Sequence, residues 1–312
     1  MSQPPPSQKS QGQPRSASQP PRPASQPPRP ASQPPRPGRA PVRARPVLGP
    51  SEAALFETFV VPRYMALFGG LMMEMVAEGP DAQVVHLQCR TGYPDRGMLA
   101  KLPGAHFYGV DASPPAVELA RAKAQTMSGM VASYRVGELP VPLTAGAFSH
   151  GYSLHPFVVP DERKRLFAEL ARLVAPRGQM LVAMPMRGSF VEVVDLLREY
   201  ALKHEAGEVS KAAEAAVLLR PTVDELKKEV QAAGFDFVEV ELRPEALAFK
   251  NGRDFFEDPL TRLLLLPELA MSLPPDATTA PLDYVRDAID RYWSDGDFSL
   301  TVVVGCVSGR RV

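Results

Sequence analysis

Cysteine and long apolar runs are scarce in this 312-residue chain. Its two cysteines, Cys89 and Cys306, exclude a disulfide framework and a cysteine-based metal cluster, so we expect no bound metal. The longest apolar run, residues 67–77, contains Glu74 and is shorter than the roughly 20 residues of a membrane-spanning helix. The first residues show no apolar core of a signal peptide. We therefore expect a cytoplasmic protein without a membrane partner.

Acidic residues are absent from residues 1–50, here called the tail, which carry eight Lys and Arg side chains. The rest of the chain keeps 27 of the 35 basic side chains and all 35 acidic ones, which is a net charge of −8. A basic tail on an acidic body predicts an anionic partner or contact between tail and body. A tail that only adds solubility remains the alternative.

Proline is abundant, and in the tail it forms a repeat. The sequence SQPPRPA occupies residues 18–24 and 25–31, and a third copy at 32–37 is followed by Gly38. Such a segment has too little apolar area to fold, so we expect disorder with a polyproline II bias. Its PxxP frames, each with an arginine inside, suit a protein with an acidic surface or an aromatic groove. Nucleic acid and a passive linker remain open.

Residues 51–312 alternate β-rich runs with amphipathic helices, which predicts one α/β domain. The first unit, residues 84–111, reads as strand, tight turn, short helix and strand, as a doubly wound sheet begins. We expect an opening helix capped by Ser51 and interrupted at Pro62, and a mostly helical insertion at 247–294 before the last strand. After the strand that begins at Val84, the predicted strands are 107–110, 131–136, 147–154, 180–184, 235–242 and 298–307.

Three motifs occur in a fixed order along this domain. They are VVHLQCRTG at 84–92, FYGVD at 107–111 and LARLVAPRG at 170–178. In this order they resemble the class I S-adenosylmethionine (SAM)-dependent methyltransferases, over about residues 51–307. The resemblance implies a Rossmann-like, doubly wound seven-stranded sheet and SAM as the cofactor.

The resemblance also assigns cofactor-binding positions, some kept and some replaced. Asp111 stands where the family has the acid that accepts the ribose hydroxyls, and Gly92 is the last glycine of the turn. His86 replaces the acid that ends the first strand, and Gln88 and Arg90 replace the first two glycines. Glu138, or its neighbour Gly137, stands near the position of the family acid that would bond the adenine amine.

These replacements leave two functions open. Glycine lets backbone approach a ligand closely, whereas Gln88 and Arg90 place side chains there, and His86 and Arg90 make the turn less negative for a cationic sulfonium. The first hypothesis is a methyltransferase-like protein with a remodelled SAM site that acts as a partner-binding or regulatory protein. The alternative is an active SAM-dependent methyltransferase on a small-molecule substrate, with Arg90 clamping the ligand carboxylate and His155 or Tyr152 as general base.

Overall fold

The computed structural model describes residues 47–156, 159–275 and 278–312. Most of the tail, residues 1–46 with all the repeats, lies outside the described residues. Its last four residues, 47–50, are described, and Pro50 already belongs to a helix.

Seven strands form one sheet in the described part of the chain, in the order β3-β2-β1-β4-β5-β7-β6. Neighbouring strands from β3 to β5 pair in parallel, while β7 runs antiparallel between β5 and β6. The predicted Rossmann-like doubly wound sheet is confirmed. The strands are β1 Gln83–Leu87, β2 His106–Asp111, β3 Val131–Val136, β4 Phe148–Leu154, β5 Val174–Pro185, β6 Phe235–Phe249 and β7 Phe298–Arg311.

Helices cover both faces of this sheet. On β5, Leu181 and Ala183 pack into one buried cluster, whereas Met180 and Val182 pack into another on the opposite face. Successive side chains of a strand point to opposite faces of the sheet, and both faces are buried when helices cover the sheet on both sides. The helices are α1 Pro50–Leu55, α2 Ala66–Met75, α3 Asp95–Leu99, α4 Pro114–Gln125, α5 Pro160–Leu173, α6 Val191–Lys203, α7 Gly207–Leu219, α8 Val223–Ala232, α9 Gly252–Glu257, α10 Leu266–Ser272 and α11 Thr279–Tyr292, with π-helical segments at Phe56–Met65 and Thr261–Leu265.

The opening helix differs from the sequence-based expectation at two points. Its N-cap is Gly49 rather than Ser51, and the Glu52 carboxylate accepts a hydrogen bond from the Gly49 N–H at 2.7 Å. Pro62 does not interrupt it, because α1 continues through the π-helical segment Phe56–Met65, which contains Pro62, into α2. The wider π-helical turn shifts the hydrogen-bond register at the point where proline lacks an N–H. The ordered domain therefore begins slightly before residue 51.

The insertion before the last strand is helical, as expected, but it begins after Phe249 rather than at Leu247. Strand β6 continues from Phe235 to Phe249 and pairs with β7 along almost its full length. Pro244 lies within this pairing, opposite Val303. Because β6 is at the edge of the sheet, a missing proline N–H on its outer side costs no ladder bond.

Two helices begin at side-chain hydroxyl caps. The Ser113 hydroxyl accepts from Ala116 N–H at 3.2 Å, with Pro114 as the first residue of α4. Thr222 and Glu225 form the reciprocal cap of α8. None of the described helices combines the length and apolar character needed to cross a membrane.

Candidate functional site

The turn after β1 retains left-handed backbone at three alternate residues. The φ angles are 56° at Gln88, 48° at Arg90 and 80° at Gly92. These are the positions at which the resemblance puts glycines. A non-glycine residue in this conformation carries a strain of about 1–3 kcal/mol, so the surrounding structure must hold it in place. The chain therefore keeps a glycine-turn backbone while carrying two long side chains on it.

The Arg90 side chain lies inside the molecule, with 4% of its surface exposed. Its Nη2 donates to the His155 carbonyl at 2.9 Å, and its Nη1 lies 3.6 Å from Met65 Sδ. The guanidinium also lies 5.1 Å from the centre of the Phe56 ring. The opening helix and the loop after β4 thus enclose this cation from both sides.

A narrow gap remains beside Arg90, and it has no room for a water molecule. Its walls come from the opening helix, from β1, from the turn that follows β1 and from the end of β4. The lining side chains are Phe56, Met65, His86, Gln88, Cys89, Arg90, Thr91, Tyr93 and Leu154. Burial raises the pKa of the Cys89 thiol, and the nearby Asp111 carboxylate raises it further.

Asp111, at the end of β2, faces the same turn. One of its carboxylate oxygens accepts the backbone N–H of Arg90 at 2.9 Å, and the other accepts the N–H of Ser113 at 2.9 Å. Asp111 therefore fastens the β1 turn to the start of α4. Gly137 N–H donates to the Asp111 carbonyl at 2.9 Å. Glu138, the next residue, is exposed and does not line the gap.

A buried carboxylate under the turn was not anticipated from the sequence. Asp95, the first residue of α3, is fully buried and accepts hydrogen bonds from the hydroxyls of Tyr152 at 2.7 Å and Tyr134 at 2.8 Å. His86 Nδ1 lies 2.7 Å from the same carboxylate. Strands β1, β3 and β4 are tied to α3 through this one group. The signal in the sequence was three rings with polar atoms on predicted strands, each of which needs a partner when its side chain is buried.

The two candidate bases are both enclosed by protein. Tyr152 is fully buried with its hydroxyl donating to Asp95, and burial, with Asp95 as a second cause, raises its pKa. His155 is 5% exposed, and its Nε2 lies 2.9 Å from the Tyr64 hydroxyl. Its ring meets Phe68 edge-on. The structure brings both residues under the opening helix, where neither presents a free nitrogen or oxygen to an open cleft.

Comparisons with known proteins point to one superfamily. A family model described as a methyltransferase domain matches residues 84–178. A demethylmenaquinone methyltransferase of Thermus thermophilus is 28% identical over 174 residues, which is 52% of this chain and 77% of that protein. The crystal structure of the YcgJ protein from Bacillus subtilis superposes with a TM-score of 0.50 at 13% identity, covering 78% of this chain and 98% of that one.

The sequence match and the fold agree on the same part of the molecule. The matched segment begins at β1, includes the turn, Asp111 and α4, and ends in the Pro176-Arg177-Gly178 turn within β5. These elements lie in a seven-stranded doubly wound sheet, as the motif resemblance implied. The chain is therefore a member of the class I SAM-dependent methyltransferase superfamily.

Proposed function

We propose that this protein keeps the methyltransferase fold but not a working SAM site, and that it acts as a partner-binding or regulatory protein. The buried Arg90 side chain carries this proposal. It supplies a cation at the turn where a cationic sulfonium would have to approach, and the gap left beside it cannot hold a water molecule. These features support the inference that SAM does not fit.

Electrostatics support the same inference. Two like charges 4 Å apart repel by roughly 1–4 kcal/mol between bulk water and a partly buried site. Each 1.4 kcal/mol corresponds to about a tenfold change in affinity. The family acid that would offset the cofactor charge is replaced by His86, whose Nδ1 is already 2.7 Å from Asp95. We infer that SAM binding is weakened by steric and electrostatic effects together.

The tail is the proposed partner-binding segment. Its repeats combine PxxP frames with arginines, and they precede in sequence a body with a net charge of −8. The partner that this chemistry fits is a protein with an acidic surface or an aromatic groove. Repeats seven residues apart add avidity when that partner is multivalent. A cytoplasmic location remains a prediction.

Methyl transfer to a small molecule is the second candidate. It is favoured by the match to a protein named for methylating demethylmenaquinone, and by Asp111 and Gly92, which occupy the family's positions. In this case the Arg90 side chain would withdraw from the gap and hold the ligand carboxylate. His155 and Tyr152 would then have to become accessible before either could serve as a base.

Calorimetric titration of the full chain with SAM and with S-adenosylhomocysteine tests the proposal. We expect no saturable heat from the natural chain at millimolar ligand. In the double variant Gln88→Gly, Arg90→Gly we expect the gap to open and binding to appear, because glycine suits both backbone positions without strain. The control is the same double variant with Asp111→Asn, which should lose that binding.

Thiol labelling of Cys89 gives a second measure of whether the gap beside Arg90 opens in the double glycine variant. Because burial raises the pKa of the Cys89 thiol above its usual 9.0, iodoacetamide at pH 8 should leave it unlabelled in the natural chain. The double glycine variant should be labelled at Cys89 and not at Cys306, which is buried elsewhere. Saturable SAM binding by the natural chain, lost in Asp111→Asn, would contradict the proposal and support methyl transfer.

Partner binding by the tail is tested with two variants of equal charge. Arg22, Arg29 and Arg36→Gln removes one arginine from each repeat, whereas Lys9, Arg39 and Arg45→Gln removes three cations outside the repeats. The tagged full chain and both variants are used to capture proteins from cells that express the gene. We expect a partner retained by the natural chain and the second variant and lost by the first. Identical capture by all three would show that the repeats are a passive linker.

A further inference from the structure

A second cavity lies on the other side of the turn from Arg90, between that turn and α4. It has a volume of about 380 Å³. Small residues form much of its wall, among them Gly92, Gly97, Ala120 and Ala124. Because α3 has only five residues, it covers little of the layer beside α4. The volume lies within the roughly 300–1,000 Å³ typical of small-molecule sites.

One end of this cavity is polar. Lys123 Nζ lines it and donates to the Thr91 carbonyl at 3.0 Å, and it also pairs with Glu57. The Arg96 guanidinium belongs to the same lining. These charged side chains suit a ligand with a polar head.

The charges around the cavity favour an anion. Lys123 and Arg96 supply two positive charges and Glu57 one negative charge, so the lining carries a net charge of +1. Arg96 is exposed and has no ion-pair partner in the described part of the chain. It is therefore available to a ligand, whereas the Glu57 carboxylate already has a cation.

The remaining wall is apolar. It consists of Met127 and Met130, which are half-buried, the ring of Tyr134, and Pro94. Methionine side chains adapt to different ligand shapes because they are unbranched and polarisable. A ligand that fits both ends has a compact or flexible apolar body and one charged head.

We infer that this cavity is a binding site for a small amphipathic carboxylate, with its head at Lys123 and Arg96 and its apolar body against Met127, Met130 and Tyr134. The site shares the turn with the SAM position but none of the Arg90 contacts. The inference therefore does not depend on whether SAM binds, and it adds a ligand class to the proposed regulatory role.

Calorimetry on the full chain tests the site with three probes of equal chain length: decanoate, decan-1-ol and decylamine. Ala124→Phe places a ring in the cavity, and Ala122→Phe, on the exposed face of the same helix, is its matched control. Arg96→Met removes the unpaired cation, and Arg135→Met, on the exposed edge of β3, is its matched control. Circular dichroism checks that each variant is folded.

We expect decanoate to bind saturably and more tightly than the alcohol or the amine. Ala124→Phe should weaken it at least tenfold, while Ala122→Phe should not. Arg96→Met should weaken decanoate by about two- to fivefold, as expected for an exposed charge contact, and leave decan-1-ol unchanged. Absence of saturable decanoate binding, equal effects of the two phenylalanine variants, or tighter binding of decylamine would overturn the inference.

Discussion

The two sides of the turn after β1 differ although they share one backbone. On one side, Gln88 and Arg90 extend into the molecule, and the gap beside them excludes water. On the other side, Gly92 faces Ala120 and Tyr134, and about 380 Å³ stays open. All three turn residues have positive φ. The backbone is therefore left-handed at all three positions. The size of the side chain at each position decides whether the space beside it is filled or open.

This difference shows how side chains can fill or leave open the space beside the turn without a change in the topology of the fold. Asp111 still joins the turn to α4 through two backbone N–H groups, so the geometry of the β1–β2 edge survives the loss of two glycines. The strain at Gln88 and Arg90 is held by contacts from the opening helix and the loop after β4. The space on one side of the turn is thus filled while a cavity remains on the other side.

The largest loss of stability is expected from substitution of Asp95, the buried carboxylate that ties β1, β3 and β4 to α3 beside the turn. Asp95→Leu removes the partner of three buried polar groups, on His86, Tyr134 and Tyr152. Leaving one buried polar group unpaired costs about 1–3 kcal/mol. Because three groups lose their partner, we expect the free energy of unfolding to fall by about 3–5 kcal/mol, as measured by urea denaturation followed by circular dichroism.

Two further variants show whether the loss of stability comes from the hydrogen bonds of Asp95 to His86, Tyr134 and Tyr152, here called the Asp95 network. Asp95→Asn keeps the shape and one acceptor oxygen, so it should lose less stability than the leucine. Asp236→Ala removes a carboxylate from the exposed start of β6 and should change stability by no more than about 0.5 kcal/mol. If Asp95→Leu were as stable as Asp236→Ala, the network would not support either side of the turn.

The fold was predictable because its signals are local. Strand β3 was predicted with its observed bounds. The caps at Ser113 and Thr222 are equally local, because a hydroxyl at an N-cap bonds to an N–H only three residues away. The doubly wound seven-stranded sheet was predicted from the motif order and its resemblance to a known superfamily. The positive φ angles of Gln88 and Arg90 also fit the expectation that these positions belong to a glycine turn.

The site was less predictable because its contacts are distant in sequence. Arg90 meets His155 across 65 residues, and Asp95 meets Tyr152 across 57. No local pattern shows that an arginine will turn inward, or that an acid in the first turn of a short helix will be buried. The π-helical accommodation of Pro62 and the edge position of Pro244 likewise depend on neighbours that the sequence does not reveal.

A smaller loss of stability is expected from substitution of Gly92, which lies between the filled gap beside Arg90 and the open cavity beside α4. Gly92→Ala forces alanine to φ 80° and places its Cβ 3.2 Å from both the Ala120 Cβ and the Tyr134 hydroxyl. The left-handed backbone costs about 1–2 kcal/mol, and crowding adds about 1 kcal/mol. We expect a loss of about 2–3 kcal/mol in the free energy of unfolding, measured in urea.

Gly129→Ala is the matched control for this variant because it isolates the backbone cost. Gly129 has φ 78°, but a Cβ there meets no atom within 4 Å. We expect it to lose only the backbone part, about 1–2 kcal/mol. The excess at Gly92 then measures how tightly the turn packs against α4 and Tyr134, which form the wall of the open side. Equal losses in the two variants would mean that this wall yields to a methyl group, and that the cavity can change shape without cost.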